Sequence, residues 1–171
     1  MMKQNHLLAA ATAVAAMDGL AHWPVTVLGM AVALPAGLLS DLDTASSAFG
    51  RKAGPIPYLI HRLGIRHRTL FHSLTFAAWF AAGLLALGTS LHWPWTRVVA
   101  LSAFAGLMAH PFADAFTESG VSILWPVPLR LRLGHLKVNS ALENGPIRLG
   151  LMALSVAVIG FVGAHYGWGV W

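Results

Sequence analysis

The 171-residue sequence contains no cysteine, and only 10% of its residues are charged. The lack of cysteine excludes disulfides, thiolate zinc sites and a cysteine nucleophile, so any metal ion must be bound by His and carboxylate side chains. The low charge excludes an ordinary soluble domain, in which roughly 25% of residues are charged. At the same time, 57% of the residues are hydrophobic. We conclude that the chain carries more apolar surface than a soluble fold can bury.

Five apolar segments are mostly free of Lys and Arg: 6–20, 24–39, 70–88, 95–116 and 147–166. About 20 apolar residues form a helix that crosses the hydrocarbon core of a bilayer, and ~17 can suffice. We therefore predict an all-α, polytopic membrane bundle of about five hydrophobic helices, with residues 1–171 forming one domain. The first segment also fits a cleaved signal sequence. Because the second follows at once, a helical hairpin with a turn near Pro24 is the simpler interpretation.

The basic residues predict the topology of this bundle. If the helices alternate, ten of the eleven Lys and Arg lie on or beside the face that holds the N-terminus and the polar stretches 40–69 and 117–146. The positive-inside rule makes this face cytoplasmic. Five of the seven Trp lie near the opposite interface, as expected for indole anchors: Trp23, Trp93, Trp95, Trp168 and Trp171. Topology thus accounts for the net charge of +5, and we expect the lipid bilayer, not nucleic acid, as the partner.

Seven ionisable residues gather at the predicted cytoplasmic ends of the helices. Ionisable groups at membrane depth cost several kcal/mol unless they are paired or ligated, so such a gathering indicates a functional site. Nitrogen and oxygen ligands from separate helices suit Zn²⁺, Mn²⁺ or Fe²⁺, of which we expect zinc first, and seven candidates are enough for one or two ions. The seven are His6, Asp41, Asp43, His67, His72, His110 and Asp114.

Structural roles also fit these residues. His110 and Asp114 are spaced i, i+4 on one helical face, which suits either two metal ligands or a hydrogen bond inside the bundle. Asp41 and Asp43 also fit a solvated helix end, and His6 fits a helix cap. The sequence alone leaves these alternatives open.

Four motifs occur in a fixed order along the chain: Asn5-His6-Leu7-Leu8, Leu38-Leu39-Ser40-Asp41-Leu42-Asp43, His67-Arg68-x-x-x-His72-Ser73 and His110-x-x-x-Asp114-x-x-Thr117. Together they resemble the YdjM-type family of inner-membrane metal-dependent hydrolases, whose name carries an association with the repressor LexA. The resemblance implies a bacterial inner-membrane location, a His/Asp metal site and a hydrolytic activity. Thr44 departs from the family pattern, which often has His there, as do Ser40 in place of Pro and Thr69-Leu70-Phe71 in place of Gly-Phe-Thr.

We therefore predict a metal-dependent hydrolase that acts on a phosphoester or related ester at the cytoplasmic face. A bound ion would lower the pKa of water toward neutrality and polarise the ester. The predicted metal ligands are His6, Asp41, His67, His72, His110 and Asp114. Asp43 is predicted as a ligand or base, Arg68 as a group that stabilises negative charge on the substrate, and Glu143 as a group that orients water or a ligating His.

Two other functions fit the same residues. One is a non-catalytic membrane scaffold or regulator whose His/Asp residues hold a structural ion. The other is a small transporter, which would need ionisable residues through the depth of the bilayer, whereas the middles of the predicted helices are nearly bare of them. The location of the site favours a lipid-derived substrate for a hydrolase.

Overall fold

The computed structural model describes residues 3–23 and 25–169. The predicted turn residue Pro24 and the predicted interface residue Trp171 lie outside these ranges. The described chain is mostly helical, which confirms the predicted fold class at this level. Its six α-helices are α1 (Lys3–Leu20), α2 (Val27–Leu39), α3 (Ile56–Arg62), α4 (Leu74–Ser90), α5 (Thr96–Ala115) and α6 (Arg148–Tyr166).

Two described helical segments are long and apolar enough to cross a membrane. One is α5, and the other is Glu143–Tyr166, in which a π-helical turn, Glu143–Ile147, leads into α6. Helix α4 is apolar but shorter. Helix length and composition thus support two of the predicted spans. The arrangement of about five spanning helices stays a prediction.

Helix α5 forms the centre of the bundle and packs against α1, α2 and α4. Small residues allow the close approach of α2 and α5, as in many membrane bundles. A Cβ added to Gly106 would lie 2.2 Å from the Ala33 carbonyl oxygen, and one added to Gly37 would lie 3.2 Å from the Gly106 carbonyl oxygen. This close packing brings the C-terminal end of α2 beside the C-terminal half of α5.

Short elements complete the ends of the bundle. The 3-10 turn Ser40–Asp43 directly follows α2, and the 3-10 turn Leu70–His72 comes just before α4. Strand β1 (Val25–Thr26) pairs in parallel with β4 (Trp168–Gly169), and β2 (Val121–Ser122) pairs in antiparallel with β3 (Arg130–Leu131). The two 3-10 turns lie at the same end of the bundle as the start of α1 and the end of α5. Four separate elements therefore meet where the motifs place their His and Asp residues.

Candidate metal centre

The six predicted metal ligands come together at one end of the bundle, and we call them the His/Asp cluster. His6 Nε2 lies 3.6 Å from Asp114 Oδ1, and His110 Nε2 lies 3.5 Å from Asp41 Oδ1. His72 Nε2 lies 3.8 Å from Asp114 Oδ2. Ligand bonds of about 2 Å place the ligand atoms of one ion up to about 4 Å apart. The separations in the His/Asp cluster are therefore those of a coordination sphere.

The His/Asp cluster divides into two adjoining groups. His6, His110 and Asp114 form a buried group, and Asp41, His67 and His72 form a more accessible one; within each, one ligand atom per residue lies within 4.8 Å of the others. The Asp41 carboxylate approaches His110 of the buried group. The geometry thus suits one ion or two neighbouring ions.

The backbone of α2 orients His110. His110 Nδ1 lies 2.6 Å from the Gly37 carbonyl oxygen and donates to it in the neutral tautomer that leaves Nε2 free to bind an ion. Gly37 is among the last residues of α2, whose carbonyl groups have no partner within the helix. The pairing therefore satisfies a helix end and aims a nitrogen lone pair into the His/Asp cluster.

Several buried polar atoms of the site have no hydrogen-bond partner among the described residues. They are both ring nitrogens of His72, Nε2 of His110 and Oδ2 of Asp43. A buried polar atom without a partner costs about 1–3 kcal/mol. A divalent ion would satisfy the two Nε2 atoms, so the residues present fit a metal with nitrogen and oxygen ligands.

Burial and neighbouring charges set the ionisation of the residues in the 3-10 turns. Burial lowers the pKa of His72 well below its ordinary value, and the neighbouring His110 and His67 lower it further. Burial by itself would raise the pKa of Asp41, but the nearby imidazoles of His110, His72 and His6 lower it overall. A neutral imidazole and an ionised carboxylate are the forms that bind a metal.

Asp43 lies behind His67. His67 Nδ1 is 2.8 Å from Asp43 Oδ1 and 2.8 Å from the Thr44 hydroxyl, which also donates to Asp43 at 3.0 Å. A carboxylate in this position fixes the ring orientation and tautomer of a ligating His. The structure thus places Asp43 and Thr44 against the predicted ligand His67, and the choice between ligand and base for Asp43 stays a prediction.

Arg68 reaches the His/Asp cluster through Asp114. Its Nη2 lies 3.3 Å from Asp114 Oδ2, and its Nη1 donates to the Thr117 hydroxyl at 3.0 Å. Thr117 in turn donates to the Asp114 carbonyl oxygen at 2.7 Å. The guanidinium is thus held at the edge of the site, with its charge beside a predicted ligand carboxylate.

Glu143 lies next to the cluster, among residues that dock α6 onto α1. It is buried, and its Oε1 accepts from Asn5 Nδ2 at 3.1 Å and its Oε2 from the Asn139 amide at 2.6 Å. Arg148 Nε donates to Asn5 Oδ1 at 3.4 Å. Because Asn5 precedes His6, these bonds position the start of α1. The predicted role of Glu143 in orienting water or a ligating His stays a prediction.

The residues that support the ligands were harder to predict than the ligands themselves. Thr117 and Asn5 lie inside the recognised motifs. The motifs therefore mark these positions, but they do not indicate what the two side chains do. At Thr44, the sequence shows only that this chain lacks the His that the family often has there. Gly37 contributes a backbone carbonyl, for which no side-chain pattern exists.

Comparison with known proteins identifies the family of the chain. The uncharacterized protein YvsG of Bacillus subtilis (strain 168) is 30% identical over 108 residues, which is 63% of this chain and 63% of that protein. The match thus covers less than two thirds of the relative's length. No solved structure matches the chain. The sequence model of the YdjM inner membrane proteins matches residues 1–169, nearly the whole chain, and the protein therefore belongs to the YdjM inner membrane protein family.

Proposed function

We propose that the protein is a metal-dependent hydrolase that cleaves a phosphoester or related ester at the cytoplasmic face of the inner membrane. The observation that carries the proposal is the convergence of imidazole nitrogens and carboxylates from four elements. Within it, Nε2 of His72 and of His110 are buried and lack a hydrogen-bond partner among the described residues.

The exposure of the His/Asp cluster favours a catalytic site over a purely structural one. The side chains of His6 and His110 are 2% and 1% exposed, whereas those of Asp41 and His67 are 26% and 37% exposed. A structural zinc site is closed by four protein ligands, whereas a catalytic site keeps an open position. The more accessible group provides that opening, where a substrate could approach.

We assign separate roles to the residues around this opening. The His/Asp cluster would hold the ion or ions, which supply a Lewis acid for the ester and a nucleophile at neutral pH. Asp43 keeps the His67 ring in place, and His110 is fixed by the Gly37 carbonyl. Arg68 would place its positive charge beside the anionic part of the substrate.

The membrane arrangement belongs to the same proposal. The two helical segments that can span a membrane fit the family's inner-membrane location. We extend this to a multi-pass chain with a cytoplasmic N-terminus, because ten of the eleven Lys and Arg lie on the face that carries the His/Asp cluster.

The proposal is tested with para-nitrophenyl phosphate and bis-para-nitrophenyl phosphate as substrates for the detergent-purified protein. We expect hydrolysis that a chelator abolishes and that Zn²⁺, Mn²⁺ or Fe²⁺ restores. His110→Ala should reduce the rate by about 100-fold or more, because loss of a group that only supports a ligand already costs about 10–100-fold. His165→Ala, at an exposed position near the end of α6, is the control and should retain activity. Metal-loaded protein that cleaves neither ester would contradict the proposal.

A structural role for the ion is the second candidate, and one observation favours it. His6, His72, His110 and Asp114 are all at most 2% exposed, and four buried ligands are enough to close a structural zinc site. In that case the protein is a membrane scaffold or regulator. It would retain the ion tightly, lose stability on chelation and show no hydrolysis in the same assay.

A further inference from the structure

An apolar groove lies between α1, α5 and α6, and we call it the α1/α5/α6 groove. Its volume is about 540 Å³, within the range of ~300–1,000 Å³ that is usual for ligand sites. Phe112 and Leu154 flank it and are 57% and 51% exposed, so it opens at the side of the bundle. In a membrane protein that side faces the hydrocarbon of the bilayer.

The lining of the groove selects a hydrocarbon occupant. Of its sixteen described lining residues, Thr12 alone has a polar side chain. The Thr12 hydroxyl donates to the Leu8 carbonyl at 2.9 Å and lies 2.7 Å from the Ser155 hydroxyl, so its hydrogen bonds are already made. A peptide or a headgroup placed here would leave its own polar atoms unpaired, at a cost of about 1–3 kcal/mol each.

The length of the groove fits a chain in one leaflet. It follows α5 from Phe104 to Phe116, a rise of about 18 Å at 1.5 Å per residue. One leaflet contributes about half of the ~30 Å hydrocarbon core. The groove occupies the half of α5 that carries His110 and Asp114, so a chain lying in it would be in the same leaflet as the His/Asp cluster.

The groove and the His/Asp cluster share two helices. Ala9 and Ala13 line the groove three and seven residues after His6, which places all three near one face of α1. On α5, Ala109 and Ala113 line the groove and directly precede His110 and Asp114. The head end of a chain in the groove is thus within a helical turn of the candidate metal centre.

Positive charge lies at the same end. Lys137 is exposed and directly follows Leu136, which lines the groove. Arg68 contacts Asp114 and Thr117. Thr117 directly follows Phe116, which also lines the groove. We infer that the α1/α5/α6 groove holds the acyl chain of an anionic lipid whose phosphoester lies at the His/Asp cluster. This inference rests on the proposed function, and it names a phospholipid-type ester as the substrate class.

A direct test measures binding of hexadecylphosphonate, a single-chain anion without a cleavable ester, by native mass spectrometry of the purified protein. Ala16 lines the groove at an exposed position, and Ala78 is an exposed position on α4 outside the groove. Ala16→Trp should weaken retention about tenfold, which corresponds to ~1.4 kcal/mol, and Ala78→Trp should leave it unchanged. Hexadecanol and methylphosphonate, each lacking one half of the probe, should be retained less.

The outcomes separate this inference from the proposed function. Reduced probe binding in Ala16→Trp, without hydrolysis of any ester by the wild type, would support the acyl-chain site in the groove and contradict the hydrolase activity. Metal-dependent hydrolysis of para-nitrophenyl phosphate, together with equal probe retention in both Trp variants, would support the hydrolase and overturn the proposal that the groove holds an acyl chain. So would a change from dimer to monomer in Ala16→Trp without a change in probe binding, because a second copy would then occupy the groove. If Ala16→Trp lowers the melting temperature, Ala9→Leu replaces it, with the same expected loss of probe binding.

Discussion

At the scale of single residues, the account depends on which atoms of each side chain would face a bound ion. The identities of His6, Asp41, His72, His110 and Asp114 are readable from the sequence motifs. The Nδ1 contact of His110 with a helix-end carbonyl is visible only in the structure. Mutation of a group that supports a ligand in this way typically costs about 10–100-fold in metal affinity or activity.

The Asp43–His67 pair gives the first prediction. Asp43→Ala removes the carboxylate that lies 2.8 Å from His67 Nδ1, so the ring loses its preferred orientation and basicity. We expect zinc affinity to fall about 10–100-fold, measured by competition with a chromogenic chelator. Glu118→Ala removes an exposed carboxylate and serves as the matched control. Unchanged affinity in Asp43→Ala would show that Asp43 does not support a ligand.

The same comparison shows the limit of prediction from residue type. Asp43 has two predicted roles, metal ligand or base. Its place two residues after the predicted ligand Asp41 fits both roles. In the 3-10 turn at Ser40–Asp43, Asp43 is fully buried and its Oδ1 lies beside His67 Nδ1, and its role as ligand or base stays a prediction. Sequence spacing cannot show this turn, because a continued α-helix would fit the same residues.

At the scale of helices, the contact between α2 and α5 determines whether the His/Asp cluster forms. Gly106→Ala places a Cβ 2.2 Å from the Ala33 carbonyl oxygen, a backbone atom that cannot rotate away. We expect a loss of about 1–3 kcal/mol of stability, as for other overpacked sites, and a lower melting temperature in detergent.

Gly83→Ala is the matched control for this contact. Gly83 lies in α4, and an added Cβ there meets nothing within 4 Å. Because Ala favours a helix over Gly by up to about 1 kcal/mol, this variant should melt at the same or a higher temperature. Equal melting temperatures for the two variants would mean that the α2–α5 contact is not close-packed.

The helices themselves were largely predictable, and their ends were not. The apolar segment 70–88 corresponds to α4, which begins later, at Leu74, because Leu70–His72 forms a 3-10 turn and the Ser73 hydroxyl caps the helix. Apolar composition does not distinguish these two backbone forms. The two short strand pairs were not predicted either, since two-residue strands carry no period.

At the scale of the whole molecule, charge predicts the orientation in the membrane, and helix length does not settle the number of spans. Reporter fusions after Arg51, Lys137 and Trp171 test the proposed topology. We expect cytoplasmic reporter activity at the first two positions and periplasmic activity at the third, because the basic residues gather on the face of Arg51 and Lys137. A periplasmic signal at Arg51 or Lys137 would contradict the arrangement.

The central claim is that distant parts of the chain bind a metal ion together. Elemental analysis of detergent-purified protein tests it most directly, with His110→Ala and Asp114→Ala compared against His165→Ala. The account predicts one or two divalent ions per chain in the wild type and in His165→Ala, and loss of at least one ion in the two ligand variants. Equal metal content in all four proteins, whether substantial or negligible, would contradict it.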